Sequence, residues 1–273
     1  MIDLHSHTTA SDGQYPPAEL LSRAAAAGVT VLAVTDHDTV AGLAEAAEAA
    51  RAHGVELVPG IEVSAFIHGR EVHILGHFLR PEDEDIARFS ERLREERETR
   101  MEAMLERMRQ LGYPVRMEHV LEVAGKAQLG RPHLARVLVE RGWAVDVKEA
   151  FDRFLGTRGS AWVDRYKLDG AEAIRLIRKA GGTATLAHPG SSRMERLEIR
   201  ALAKAGLAGL EVLHSDHNPS VRKKFLGLAR EFDLVPTSGS DFHGEAVSPD
   251  HKLGDAAMPP ELFAKLKARA AAA

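Results

Sequence analysis

The sequence predicts an α/β fold, a parallel sheet with helices between its strands and one helical insertion. Seven short apolar, β-branched runs recur along the chain, at 2–5, 30–35, 56–64, 72–78, 183–187, 209–213 and 234–238. Several are near-continuous apolar runs, the pattern of a strand buried on both faces of a parallel sheet. Helical stretches separate them, and this alternation is what a parallel sheet requires.

The helices carry readable start and stop signals. "PPAELLSRAAAAG" opens on proline and closes at Gly28, and "TVAGLAEAAEAARAHG" closes at Gly54. "DGAEAIRLIRKAGG" begins with Asp169 as a helix cap and stops at Gly181 and Gly182. The alternation breaks between 81 and 168. There the pattern predicts a long charged helix over 82–111 and shorter helices over 117–124, 132–141 and 147–155. This segment reads as a helical insertion carried on a loop of the main domain, and "PPELFAKLKARAAAA" as a closing helix.

Bulk properties narrow the function. The chain has 273 residues, 44% of them hydrophobic, enough for one large core or a main domain with an insertion. No apolar run approaches the ~18 residues of a membrane span. The N-terminus lacks the basic and apolar regions of a secretory signal, so a cytoplasmic enzyme is expected. Cysteine is absent, which leaves histidine and carboxylates as the available metal ligands. The net charge of −4 and pI near 6.4 do not suit a duplex-binding protein. A nucleic-acid role would concern short or single-nucleotide ligands.

Histidines and acids fall at the ends of the strand runs. "MIDLHSHTTASDG" places His5 and His7 two apart, on one face of a strand, with Asp12 in the following loop. His37 ends "AVTDHD", Glu62 lies in "PGIEVS", and His73 in "EVHILGH". His188 ends "TLAHPG", and "TSGSDFHG" carries Asp241 and His243. Strand ends of a parallel barrel gather at one face, and that is where active sites sit. Six histidines and three carboxylates there exceed what core packing explains, because a buried charge needs a partner. A multinuclear metal site satisfies all nine.

Taken together, "DLHSH…D", "TDHD", "GIE", "EVHILGH", "AHPG" and "GSDFHG" resemble the motifs of the PHP family, the polymerase and histidinol phosphatase superfamily. The resemblance implies a distorted, TIM-like (β/α)7 barrel, here 1–80 and 169–273, with 81–168 as a substrate cap. It implies three divalent ions, manganese first, with iron, zinc or magnesium as alternatives. Carried over, one ion takes His5, His7, Glu62 and Asp241, and a second takes Asp12, His37 and His243. A third takes Glu62, His73 and His188. Asp12, His37, Asp241 and His243 are also the candidate catalytic residues. Three such ions against three carboxylates leave a charge of about +3, which suits a phosphate ester hydrolysed by water that the ions activate.

The insertion supplies candidates for substrate binding. "GRPHLARVL" places Arg131 and His133 at a helix start, a ready anion site or else an ordinary loop-to-helix junction. "REERETR" puts Arg97 and Arg100 on one helix face, and "LGTRGSAWV" adds Arg158 on a glycine-flanked loop. The competing reading of these arginines is a solvated, salt-bridged surface. His77, His214 and His217 stand apart from the nine, and His217 joins the pocket candidates. His53, His68, His119 and His251 read as peripheral. Asp3, and Asp36 or Asp38, are expected to orient metal ligands.

With "GRPH", the chain resembles the 3′,5′-nucleotide bisphosphate phosphatases, whose relatives degrade short RNA or DNA from the 5′ end. That resemblance implies removal of a 3′-phosphate while the 5′-phosphate sits among the arginines. A short 5′-phosphorylated oligonucleotide fits the same arrangement. The alternatives are a histidinol-phosphate phosphatase or other small-molecule phosphomonoesterase, and a non-catalytic metal-binding module. No membrane or duplex DNA partner is expected.

Overall fold

A computed structural model of the chain describes residues 1–125, 129–164 and 166–271. Seven strands form one sheet in the order β1 to β7: Ile2–Asp3, Val31–Val34, Glu56–Ile67, Arg70–His77, Thr183–Leu186, Gly209–His214 and Val235–Gly239. The ends approach closure. The Leu4 amide donates to the Ser238 carbonyl at 3.2 Å, the Asp241 amide donates to the His5 carbonyl at 3.0 Å, and Ser6 bridges Phe242. The result is a nearly closed, distorted α/β barrel.

One strand departs from the expected parallel arrangement. β1–β2, β2–β3, β5–β6 and β6–β7 are parallel, whereas β4 is antiparallel to both β3 and β5. The reason is local. A parallel pair needs a crossover of about a dozen residues or more. Only His68 and Gly69 separate β3 from β4, both at positive φ (49° and 79°), which is the two-residue turn of a hairpin. The reversal matters for the site. It brings His73, near the start of β4, to the end where the parallel strands finish, and leaves His77 at the far end, opposite Thr183.

Ten helices accompany the sheet among the described residues. α1 (Pro17–Ala26) begins on proline, and α2 (Leu43–His53) stops at Gly54 in the left-handed region. α7 (Gly170–Lys179) is capped by Asp169, whose side chain accepts from the Ala171 amide. α8 (Arg196–Lys204) follows β5, and α9 (Pro219–Glu231) follows β6. The closing helix is α10 (Pro260–Ala271). Leu20, Leu21, Leu32, Val34 and Leu43 form one apolar cluster with α1 and α2. Phe263 and Leu266 of α10 pack with Ile2, Leu4, Val58 and Val235 in another.

The chain divides into two compact units, 1–89 with 167–273, and 90–166. The division falls inside α3 (Glu84–Gln110). The second unit contains α4 (Met117–Ala124), α5 (Arg131–Glu140) and α6 (Val147–Ala150), which runs into a π-helical turn, Phe151–Leu155, where a continuous helix was expected. It has a core of its own, with Met104, Met108, Val120, Leu134, Leu138 and Leu155 all fully or almost fully buried.

The loop after β1 is fastened by one carboxylate. Asp36 is buried and accepts three hydrogen bonds of 2.7 Å, from the Thr8 amide, the Thr8 hydroxyl and the Ser11 hydroxyl. This loop carries Asp12. Asp38, at φ 57°, accepts from the Ser64 amide at 2.8 Å and donates its own amide to the Glu62 carbonyl. Asp3 accepts from the amides of Ser240 and Gly254, both at 2.9 Å, and from that of His5 at 3.4 Å. These acids therefore hold the backbone around the ligand residues, whereas the sequence suggested contacts with the ligand side chains themselves.

Two outcomes follow from these contacts. Asp36→Ala strands three donors and should lower unfolding free energy by about 2–4 kcal/mol in urea titrations. A loss under about 0.5 kcal/mol would show that the loop does not depend on it. His77 is fully buried, its Nε2–H donates to the Leu4 carbonyl at 2.8 Å, and burial pulls its pKa down to about 4. In the unfolded chain it titrates near 6.5. The unfolded state thus binds more protons in between, so stability complete above pH 6.5 is lost as pH falls toward 4, by up to about 3 kcal/mol. The stability gap between wild type and His77→Phe should narrow from pH 7 to pH 4.5. Parallel curves would contradict this reading.

Candidate metal centre

Glu62 is the hub of the mouth. Its side chain is completely buried, and five imidazoles face its two oxygens. Oε2 lies 3.2 Å from His5 Nε2, 3.2 Å from His7 Nε2 and 3.1 Å from His37 Nδ1. Oε1 lies 2.8 Å from His73 Nδ1 and 3.1 Å from His188 Nε2. The residue's place on β3 follows from its register. Glu62 pairs with Leu75 of β4 on one side and bridges His37, just beyond β2, on the other.

Three groups of ligand atoms drawn from the nine expected residues converge here, and a fourth, His5 with Glu211 and His214, lies beside them. In the first, His5 Nε2, His7 Nε2, Glu62 Oε2 and Asp241 Oδ1 come together, with five of their separations between 3.1 and 3.3 Å. Two imidazole nitrogens and two carboxylate oxygens gathered this closely are a donor set that suits one divalent ion. The second group is Asp12 with His7, His37 and His243. His243 Nε2 is 3.4 Å and His37 Nε2 3.8 Å from the Asp12 carboxylate. The third is His37, Glu62 and His73, and His188 reaches the same Glu62 oxygen as His73.

The donor set fits divalent ions. His7 Nδ1 and His188 Nδ1 are buried without a hydrogen-bond partner, an expense that protein interiors seldom tolerate. Ring tautomers are arranged to aim lone pairs inward. His243 Nδ1–H donates to the Asp241 carbonyl at 2.9 Å, which leaves Nε2 facing Asp12. His188 (φ 23°) and Asp241 (φ 54°) take left-handed backbone conformations that non-glycine residues rarely adopt. Such outliers concentrate at functional sites.

Electrostatics bind the cluster tightly. Burial opposes the charge of Glu62 and Asp241, yet the surrounding imidazoles hold both well below the usual carboxylate range. Asp12, about half exposed, is likewise pulled far down by His37 and His243. Burial alone would lower His7 and His73. Asp241 and Glu62 outweigh it for His7, and Glu62 with Glu71 for His73, so both rise to about 10. His37 goes the other way, to about 4, because burial prevails. Neighbouring rings around Glu62 thus shift in opposite directions, a behaviour typical of functional sites.

All nine residues expected from the sequence meet at this mouth, but the structure adds others. Glu211, on β6 and fully buried, accepts from His5 Nδ1–H at 3.1 Å. It was missed because one acid within "GLEVLH" has no motif around it. His214 is buried beside it, with Nε2 3.7 Å from Asp241 Oδ2. His251, read as peripheral, donates Nδ1–H to the Asp241 carbonyl at 3.0 Å and sets Nε2 3.1 Å from Asp216. His217 has a structural task instead of a pocket position. Its Nδ1–H donates to the Val212 carbonyl and its Nε2 accepts from the Gly190 amide, both at 3.1 Å.

Within the second unit, Arg97, Arg100 and Arg131 line one cavity of about 120 Å3 with Met101, Met104 and Gly130. Arg100 Nε donates to the Val163 carbonyl at 2.8 Å, and its guanidinium lies 4.8 Å from the centre of the Trp162 ring. Arg131 donates to the Leu155 carbonyl at 3.3 Å and lies 5.1 Å from the same ring. His133 is buried, and its Nδ1 accepts from the Gly130 amide at the start of α5. Arg158 is exposed on its turn and does not line this cavity.

Comparison with known proteins agrees with this geometry. The PHP domain matches residues 3–141. A 5′-3′ exoribonuclease of Haemophilus influenzae is 39% identical over 248 residues, covering 88% of this chain and 89% of that protein. A 3′,5′-nucleoside bisphosphate phosphatase of Chromobacterium violaceum is 36% identical over 260 residues, covering 89% and 87%. A phosphoribosyl 1,2-cyclic phosphate 1,2-diphosphodiesterase of Eggerthella lenta is 37% identical over 248 residues, covering 89% and 94%. A crystal structure from Bifidobacterium adolescentis, described as a metal-dependent phosphoesterase, superposes with a TM-score of 0.86 at 31% identity, over 98% of this chain and 95% of that one. The histidine-ringed carboxylate, the distorted barrel and these relatives lead to one assignment: the chain belongs to the PHP domain family and is a metal-dependent phosphoesterase.

Proposed function

We propose that this chain removes the 3′-phosphate of nucleoside 3′,5′-bisphosphates and also accepts short 5′-phosphorylated oligonucleotides. The observation that carries the proposal is the convergence of His5, His7, Glu62 and Asp241, sharing Glu62 with a second ring of histidines. His5, His7, Glu62 and Asp241 would hold one divalent ion, Asp12, His37 and His243 a second, and Glu62, His73 and His188 a third, with manganese the first choice. Bound divalent ions supply Lewis acidity toward water and toward phosphoryl oxygens.

The chain's own residues do the rest. Glu62 and Asp241, kept ionised by their imidazole neighbours, cannot act as acids at neutral pH and serve as fixed negative charge. His243 and His5 have their Nδ1–H groups committed to oxygens, so their Nε2 atoms stay directed at the centre. Arg97, Arg100 and Arg131, which line one cavity of the second unit, are the residues proposed to bind an anion such as a phosphate. The cavity gathers three guanidinium groups, which favours a substrate with a second phosphate over an amino-alcohol ester. Names borne by the relatives, a bisphosphate phosphatase and an exoribonuclease, support the same substrate class.

Two measurements test this reading. With manganese supplied, adenosine 3′,5′-bisphosphate should be hydrolysed at least about 10-fold more efficiently than adenosine 3′-monophosphate, and Arg131→Ala should erase most of that preference. Equal loss on both substrates would place the arginine elsewhere, and preference for histidinol phosphate or a 1,2-cyclic phosphate would replace the proposal. His188→Ala and Asp241→Ala should each lower kcat/KM by about 100-fold or more, since each removes a ligand. Unchanged turnover in both would refute the ligand assignment.

A further inference from the structure

Glu211 takes no part in the nine-residue set, yet it is completely buried and lies against two members of it. Its Oε1 is 3.1 Å from His5 Nδ1. Its Oε2 accepts from the His188 amide at 2.6 Å, at the residue whose φ of 23° turns the chain at the end of β5. A side chain on β6 thereby touches ligand residues on the β1 and β5 sides of the barrel. The approach is possible because β7 ends in glycine. A Cβ at Gly239 would come within 2.2 Å of His5 Cβ and 2.5 Å of Glu211 Oε1.

The chemistry of imidazole gives the contact its meaning. A neutral ring has one N–H donor and one lone pair, and the partner of one nitrogen decides the role of the other. An ionised carboxylate only accepts, so Glu211 requires the proton on Nδ1 and leaves the Nε2 lone pair toward His7, Glu62 and Asp241. We propose that Glu211 is a positioning residue for metal binding, which sets the tautomer of His5 and anchors the backbone of His188. The proposal rests on the metal-centre reading above.

Glu211→Gln keeps the shape but offers one oxygen and one NH2 group. Either His5 Nδ1–H or the His188 amide then faces another donor, and a His5 tautomer that relieves the clash turns an N–H on the centre. The test uses the full chain as wild type, Glu211→Gln, His5→Ala and the double variant. Manganese stoichiometry is read by elemental analysis, and affinity by competition with a chelator. Glu211→Gln should weaken manganese binding about 10–100-fold, the usual cost of losing a ligand's hydrogen-bond partner. In the His5→Ala background the same change should cost less than about 3-fold, because the ring is gone and only the anchor on the His188 amide remains to be lost.

Wild-type affinity in Glu211→Gln overturns the proposal, and so do equal losses in both backgrounds, which would mean a general structural effect. If Glu211→Gln lacks the far-ultraviolet circular dichroism of the wild type, Glu211→Asp is compared instead. Full affinity in that shortened variant overturns the proposal, and a loss confined to the background with His5 supports it. A wild-type chain that takes up no manganese gives a different result, overturning the metal centre and this role with it.

Discussion

The buried carboxylate of Glu62 constrains more of this molecule than any other group. A charge with no exposed surface is tolerated only among compensating partners, and here five imidazoles surround it. Those partners come from positions 5, 7, 37, 73 and 188, which only barrel closure brings together. The arrangement couples folding to cation binding, because the ligand set does not exist in the open chain. It also explains the attention given to backbone. Asp3, Asp36 and Asp38 spend their hydrogen bonds on the segments that deliver His5, Asp12 and Glu62. A centre whose atoms must meet within about 0.5 Å needs supports of this kind.

The ligand residues were legible because charged groups at the tips of apolar runs have no packing reason to be there. His188 after "TLA" and Asp241 after "TSGS" stand out for this reason. Glu211 did not, since an acid among apolar residues of a strand has the same period-2 pattern whether it faces water or a barrel interior. His251 was obscured differently. It lies in a non-periodic stretch beyond β7, and only the folded path returns it to the Asp241 carbonyl. Asp36 and Asp38 were suspected from their proximity to His37, but sequence cannot reveal that their partners are amides and hydroxyls of other segments.

The direction of β4 was the main feature of the sheet that apolar pattern concealed. A buried run looks the same whichever way it is threaded. Spacing carried the information instead. Seven residues separate the runs 56–64 and 72–78, too few for a parallel crossover. The consequence is chemical as well as topological. In a parallel strand the last residues reach the mouth, which would have presented His77. In the reversed strand His73 does so, and His77 becomes a buried neutral ring bonded to the Leu4 carbonyl.

Charge also divides the arginines of the insertion. Arg94 sits between Glu91 and Glu98, an exposed arrangement that contributes little to stability. Arg97 and Arg100 lie on the same helix, next to Met101 and Met104, whose burial identifies the inner face. Three and four residues along a helix return to one side, so the two arginines are carried into the cavity by the apolar stripe they border. There they join Arg131. A cavity that gathers three guanidinium groups suits an oxyanion better than an ammonium-bearing ester. The acidic centre of the barrel and the cationic cavity of the insertion make opposite demands on their ligands, cations in one and an oxyanion in the other.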